Sequence, residues 1–237
     1  NLECENICFS VRIYPKDADK DQVLQLMKQQ IDDLLLESGI DKNRLLGVGI
    51  GVPGVIDYKN NYSVFFERIN GWENVLIGDI IQEYIGKPVY ICNDVNLISW
   101  AERKVAHLED IKNMLYIIIR SGIGMAIWND GSLMQGEMGN SGRIGHMTVD
   151  KNGLQCKCGN RGCLGLYTSE KSMIRMYGEL TGKELKWAGE LFPLAEAGDA
   201  AALQVFETCG RYLGTGIVNV ANLFDISEVV LLTSFDS

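Results

Sequence analysis

Apolar residues recur along this chain with two different spacings, and the spacings predict where helices and strands lie. In residues 19–38 the apolar positions fall on one helical face, and Gly39 ends the pattern. Short apolar runs bounded by Pro, Gly or Asn predict strands instead. The predicted strands are residues 7–13, 45–52, 88–92, 114–119, 124–128 and 228–232, and the other predicted helices are residues 96–106, 170–182 and 195–223. Strands that alternate with helices indicate an α/β fold, in which 114–119 and 124–128 form a hairpin.

The composition is that of a globular protein, with 46% hydrophobic and 22% charged residues, and 237 residues are enough for two lobes. No apolar run approaches the roughly 20 residues of a membrane helix, and no signal peptide opens the chain. The seven cysteines favour a reducing, cytoplasmic setting over a disulfide framework. A net charge of −9 suits DNA poorly, so any DNA contact would come from residues outside this chain.

One segment, residues 146–163, concentrates one imidazole and three thiols, at His146, Cys156, Cys158 and Cys163. Tetrahedral zinc accepts a Cys₃His set of this kind. Gly159 and Gly162 stand between the thiols, where the backbone must turn sharply. The alternative interpretation is a metal-free turn with clustered buried thiols.

Polar and glycine residues at the ends of predicted strands are candidates for ligand contacts. Asp94 follows an apolar strand and begins a helix, so it suits either a general base or a helix cap. The turn 121–124 can offer backbone N–H groups to a phosphate, although glycine-rich hairpin turns are common. The segments 53–57 and 214–216 are equally ambiguous between ligand contact and close packing.

Taken together, six segments in a fixed order resemble the ROK family of repressors, open reading frames and sugar kinases. They are residues 47–57, 89–96, 121–124, 142–146, 156–164 and 214–223. The resemblance implies a two-lobed, hexokinase/actin-like (ribonuclease H-like) ATPase fold around a sugar cleft. The expected lobes are a smaller α/β lobe, 1–111, whose N-terminal part is absent from this chain, and a larger α/β lobe, 112–237, with a zinc-binding loop.

The resemblance also implies roles for individual residues. The ligands of a structural zinc would be His146, Cys156, Cys158 and Cys163, and His146 would also lie near the sugar. Asp94 would deprotonate a sugar hydroxyl, while Asn93 and Gly54 would contact the sugar. ATP phosphates, with Mg²⁺, would lie against Ser121, Gly122 and Gly124.

Four positions depart from the pattern of the family's kinases. Arg143 and Gly165 stand where those kinases carry glutamates that accept hydrogen bonds from sugar hydroxyls, and the loss of one such acceptor costs about 1–3 kcal/mol. Arg143 also reverses a charge, and it could instead attract an anion or pair with Asp94. Arg120 and Ala126 replace glycines of the phosphate loop, and the hairpin Asp-x-Gly-Gly-Thr does not occur in this sequence.

These departures favour the effector-binding and oligomerisation region of a ROK-type transcriptional regulator. Its effector would be a sugar or sugar phosphate, its DNA-binding helix-turn-helix would lie upstream, and it would form a homodimer or homotetramer without a membrane partner. Zinc would order the loop that couples occupancy of the cleft by a ligand to the geometry of the lobes or of the dimer. The alternatives are an ATP-dependent hexose kinase of the same family, with Asp94 as base, and a degenerate member that acts by protein–protein interaction.

Overall fold

The protein is described by a computed structural model that covers residues 8–137 and 139–233. Helices and strands alternate through this range, as the α/β prediction requires. The described residues form two compact units. The first comprises the residues up to Leu97 with Glu137, Gly139 and Asn140, and the second comprises Ile98–Gly136 and the residues from Ser141 onward.

The first unit contains two small sheets and two complete helices. Its elements are α1 (Lys20–Ser38), β1 (Val48–Val52), β2 (Val55–Asp57), β3 (Tyr62–Phe65), β4 (Glu73–Val75), α2 (Ile77–Ile85), β5 (Val89–Asn93) and the start of α3 (Asp94–Val105). Strands β1 and β5 pair in parallel, and β2, β3 and β4 form an antiparallel sheet. The parallel pairing places Val52 and Asn93 at the same end of the sheet. There β1 is followed by a turn, and β5 is followed directly by α3.

Helix α1 confirms the helix predicted over residues 19–38. The Asp19 carboxylate accepts a hydrogen bond from the backbone N–H of Gln22, and the side-chain oxygen of Gln22 accepts one from the backbone N–H of Asp19. This capping box fixes the start of the helix. Gly39 ends it with a φ of 64°, a conformation that favours glycine.

The second unit is built on a four-stranded sheet with helices beside it. Its elements are the rest of α3, β6 (Met114–Ile119), β7 (Ile123–Asn129), β8 (Ser132–Leu133), a 3₁₀ turn (Ile144–His146), α4 (Gly165–Thr168), α5 (Glu170–Thr181), α6 (Leu191–Glu196), α7 (Ala200–Phe224) and β9 (Glu228–Thr233). The strand order is β8-β7-β6-β9, with β6 antiparallel to β7 and parallel to β9. The predicted hairpin is therefore confirmed, and its first strand is buried along its whole length.

The second half of α3 belongs to the second unit because it packs on β7. The indole of Trp128 donates to the hydroxyl of Ser99, and the guanidinium of Arg103 lies over the Trp128 ring. The units therefore part at Leu97 and Ile98, within a continuous helix, whereas the lobes expected from sequence part at residue 111.

Two element predictions are corrected by the structure. Residues 8–13 form no strand; residue 7 lies outside the described range. No described strand pairs with this segment, and Phe9, Val11 and Ile13 are exposed. The predicted helix 195–223 is divided at Gly198, whose φ is 82°, and Asp199 then caps α7.

No helix among the described residues is both long and apolar enough to span a membrane.

Candidate functional site

A Cys₃His cluster is the candidate metal centre in the second unit. The possible ligand atoms of His146, Cys156, Cys158 and Cys163 all lie within 4.8 Å of one another. The Sγ atoms of Cys158 and Cys163 are 3.6 Å apart, and Sγ of Cys156 is 3.9 Å from Nδ1 of His146. Ligand bonds of about 2.0–2.3 Å in a tetrahedral zinc site separate the donor atoms by about 3.3–3.8 Å. The Cys₃His set is one that zinc accepts, and the Cys158–Cys163 separation lies in this range, whereas the longer separations, up to 4.8 Å, would shorten around a bound ion.

Short backbone contacts fold the loop that carries these residues. The backbone N–H of Cys156 donates to the carbonyl oxygen of Asn160 at 2.8 Å, which closes a tight turn that contains Cys158. An antiparallel bridge between Thr148 and Cys163 then returns the chain beside His146. The 3₁₀ turn Ile144–His146 places the imidazole at the start of the loop.

The two glycines of the loop have different roles. Both have positive φ, 95° at Gly159 and 62° at Gly162. A Cβ at Gly159 would meet open space, whereas a Cβ at Gly162 would overlap the carbonyl oxygen of Asp150. Gly162 is thus required both by its backbone conformation and by close packing, and Gly159 by conformation alone.

The thiols of the cluster have different electrostatic surroundings. Burial, followed by the side-chain hydrogen bond with Cys156, raises the pKa of Cys163 to about 12. The backbone N–H of Asn160 lowers the pKa of the exposed Cys158 thiol. A divalent cation stabilises thiolates and would oppose the effect of burial on Cys163.

Tyr167 ties this loop to α7, a contact that sequence analysis missed. Its hydroxyl accepts a hydrogen bond from the backbone N–H of Leu154 at 3.2 Å. Its ring stacks on Tyr212 of α7, with the ring centroids 4.0 Å apart. The two tyrosines are far apart in sequence, so no local pattern indicates their pairing.

The expected sugar contacts Gly54, Asn93 and Asp94 all lie in the first unit. The side-chain amide of Asn93 donates to the carbonyl oxygen of Gly54 at 3.3 Å. The side-chain oxygen of Asn93 accepts from the backbone of Val95 at 3.1 Å and of Asn96 at 3.4 Å. Asn93 therefore caps α3, one of the two roles considered for Asp94 from sequence, and Asp94 is the first residue of the helix.

The expected phosphate-contact residues Ser121, Gly122 and Gly124 lie at the turn between β6 and β7, in the second unit. The turn is closed by a hydrogen bond from the backbone N–H of Arg120 to the carbonyl oxygen of Gly122, at 2.8 Å. Gly124 already belongs to β7 and is paired with Ile118. The backbone N–H of Arg120 is therefore used within the turn and is not available to a phosphate.

Two of the four positions that depart from the kinase pattern, Arg143 and Gly165, adjoin the 3₁₀ turn Ile144–His146, which packs on the start of β7. Arg143 is exposed and precedes the 3₁₀ turn that ends at His146. A Cβ at Gly145 of that turn would lie 2.6 Å from the carbonyl oxygen of Ile123, and a Cβ at Gly165 would lie 3.2 Å from that of Gly145. The start of β7, the 3₁₀ turn and α4 thus meet through two glycines.

Comparison with known proteins assigns the chain to a family. The model of the ROK family matches residues 10–235. The xylose repressor of Bacillus spizizenii is 36% identical over 191 residues, which are 80% of this chain and 48% of the repressor. The chain thus spans about half the length of that relative.

A kinase and a regulator are also among the similar proteins. The glucokinase of Halalkalibacterium halodurans is 31% identical over 211 residues, covering 80% of this chain and 62% of that enzyme. The crystal structure of a ROK family transcriptional regulator, a homologue of the E. coli MLC protein, has a TM-score of 0.84 and 28% identity. That similarity covers 94% of this chain and 59% of the other.

Proposed function

The chain belongs to the ROK family, and we propose that it is the sugar-effector-binding and oligomerisation region of a ROK-type transcriptional regulator. DNA binding is assigned to a helix-turn-helix elsewhere in the full protein, in keeping with the net charge of −9 on this chain. The similarity to a xylose repressor and to a regulator of the family supports this assignment.

The observation that carries the proposal is the pair Arg143 and Gly165. Both stand where the resemblance places glutamates of the family's kinases. Arg143 immediately precedes the 3₁₀ turn, and Gly165 packs against Gly145 within it. A neutral sugar held there would lose two carboxylate acceptors, and one position would present a cation instead. A site altered in this way is suited to sensing a ligand rather than to orienting a sugar for phosphoryl transfer.

Zinc is the metal proposed for the cluster of His146, Cys156, Cys158 and Cys163. It would cross-link the 3₁₀ turn to the cysteine loop and neutralise thiolate charge, which is a structural role. Because Tyr167 joins that loop to α7, the cross-link would also fix the 3₁₀ turn relative to the helix. A change at Arg143 or His146 can then be transmitted to α7 and to contacts between subunits.

The effector proposed is a sugar, and the repressor relatives make D-xylose the first one to test. In the first unit, Asp94 and Asn93 provide acceptors and donors for its hydroxyl groups, and Gly54 lies beside them. In the second unit, Arg143 suits the phosphate group of a sugar phosphate, because a guanidinium binds phosphate well, so sugar phosphates belong to the panel of effectors to test.

A sugar kinase is the second candidate, favoured by the glucokinase relative and by Asp94 at the end of β5. In that function Asp94 would accept the proton of the attacking hydroxyl. The turn at Ser121, Gly122 and Gly124 would contact ATP phosphates, with Mg²⁺.

The two candidates are separated by experiments on the full natural protein. DNA selected from genomic fragments by the protein should be released when D-xylose is added, and sugar, ATP and Mg²⁺ together should give no sugar phosphate. Sugar phosphorylation that disappears in Asp94→Asn would contradict the regulator and support the kinase. DNA binding unaffected by any of a panel of sugars and sugar phosphates would contradict effector control.

A further inference from the structure

Arg103 is a buried cation that the described residues leave partly unsatisfied. Its exposed fraction is 7%, and its guanidinium carbon lies 4.5 Å from the ring centroid of Trp128. Nη2 donates to the backbone oxygen of Glu109 at 2.5 Å. Nη1 is buried and has no hydrogen-bond partner among the described residues.

No carboxylate balances this charge within the described part of the chain. The nearby carboxylate of Glu109 pairs with Lys104, at 3.2 Å, and none of the ion pairs among described residues includes Arg103. Removal of a guanidinium from water is costly unless an anion or a full set of acceptors replaces the hydration. The stacking on Trp128 offsets part of that cost.

A pocket of about 290 Å³ opens beside this guanidinium, within the second unit. Its lining consists of Trp100, Arg103, Lys104, Glu109, Trp128 and Gly131. The volume is at the small end of the range of ligand sites. The indole of Trp100 is 53% exposed and offers a flat apolar wall, so the pocket combines two cations with an aromatic surface.

We propose that this pocket binds a small ligand that carries a carboxylate or phosphate group. The anionic group is held by Arg103 and Lys104, and the rest of the ligand lies against Trp100. With Nη2 held by the Glu109 carbonyl oxygen, Nη1 is the guanidinium donor that would serve an oxygen of either group. The Lys104–Glu109 pair is half exposed, so the exchange of the Glu109 carboxylate for a ligand anion costs little.

This site is independent of the proposed sugar-binding function, which uses none of these residues. Its lining residues come from the C-terminal half of α3, the loop after it, and β7 with the turn that follows. Each position is unremarkable by itself in the sequence. The pocket exists because Trp128 packs under Ser99 and Arg103.

Tryptophan fluorescence of the full chain gives a direct test, since Trp100 and Trp128 both line the pocket. The chain is titrated with inorganic phosphate and, separately, with citrate, at ionic strength held constant with KCl. A saturable change with either probe is expected, and it should be diminished in Trp100→Phe. Saturation with phosphate alone identifies a phosphate ligand, and saturation with citrate alone a carboxylate ligand.

Two variants attribute the binding to the cations. Arg103→Lys keeps the charge but loses the planar donor set, and Lys104→Gln removes an exposed charge whose half-exposed ion pair with Glu109 contributes little to stability. Each should weaken binding about tenfold. Lys171→Gln, an exposed lysine of α5, is the matched control and should bind as the unaltered chain does. The proposal is overturned if neither probe saturates, or if Lys104→Gln and folded Arg103→Lys both keep the original affinity.

Discussion

Gly162 packs so closely against the carbonyl oxygen of Asp150 that any side chain at position 162 would overlap it. The carbonyl oxygen of Gly162 also accepts a hydrogen bond from the backbone N–H of Val149 at 2.8 Å. The two arms of the cysteine loop therefore meet at this glycine, immediately before Cys163. Their separation sets how near Cys163 can approach the other ligands of the candidate zinc site.

Alanine at Gly162 should therefore disrupt the loop far more than alanine at Gly159. Both substitutions strain a positive φ, at a cost of about 1 kcal/mol or more, but only Gly162→Ala also creates the overlap with Asp150. Zinc affinity, measured by competition with a chelator, should fall by at least tenfold more in Gly162→Ala than in Gly159→Ala. Equal affinities in the two variants would show that the packing at Asp150 does not shape the metal site.

Cys158→Ser should release the metal and destabilise the protein, because zinc binding contributes to folding free energy. The unaltered protein should contain about one zinc per chain, given the single cluster among the described residues. A loss of about 3 kcal/mol would lower the melting temperature by roughly 6–12 °C in a chain of this size. Cys92→Ser, which alters a half-buried thiol in the first unit, should retain the metal. Unchanged metal content and melting in Cys158→Ser would reject the zinc site.

Replacement of both departing positions with glutamate should strengthen binding of a neutral hexose. Arg143→Glu with Gly165→Glu restores two acceptors, each worth about 1–3 kcal/mol, so affinity for D-glucose should rise tenfold or more by calorimetry. The Cβ at position 165 would lie 3.2 Å from the carbonyl oxygen of Gly145, which requires only a small local shift. Arg211→Glu, an equal charge change at an exposed site of α7, should have no such effect. If the double variant binds glucose no better, these positions do not face the sugar.

The stability of the second unit should decline at alkaline pH through Cys209. Burial raises the pKa of this thiol from 9.0 to about 11. A raised folded pKa means that the neutral thiol contributes its stability below pH 9, and that this contribution is lost as the pH rises toward 11. Two pKa units correspond to about 2–3 kcal/mol. The stability advantage of the unaltered protein over Cys209→Ala, measured by urea unfolding, should shrink by that amount between pH 8 and pH 11. A constant advantage would mean that the thiolate is tolerated in the core.

Sequence patterns predicted those elements whose determinants are local. The capping box at Asp19 and Gln22, and the left-handed Gly39, define α1 without help from the rest of the chain. The four members of the Cys₃His cluster lie close in sequence, so their meeting in space was also predictable.

Features that depend on distant partners were not predictable in this way. The extended segment 8–13 has a strand-like composition, but strand formation requires a pairing partner that its own sequence does not specify. The stacking of Tyr167 on Tyr212 and the packing of Arg103 on Trp128 join residues far apart in the chain. The division of the last predicted helix at Gly198 depends on a single glycine, whose tolerance within a helix is ambiguous from sequence.

Equilibrium dialysis of the chain against labelled D-xylose, with ATP and Mg²⁺ present, tests the proposed function most directly, because it reports sugar binding and sugar phosphorylation together. The effector-binding account predicts an excess of sugar on the protein side that saturates and decreases in Asp94→Asn, with all the sugar recovered unmodified. Sugar phosphate accumulating in either compartment would contradict it, and so would the absence of any excess on the protein side for D-xylose and for every other sugar and sugar phosphate of the panel.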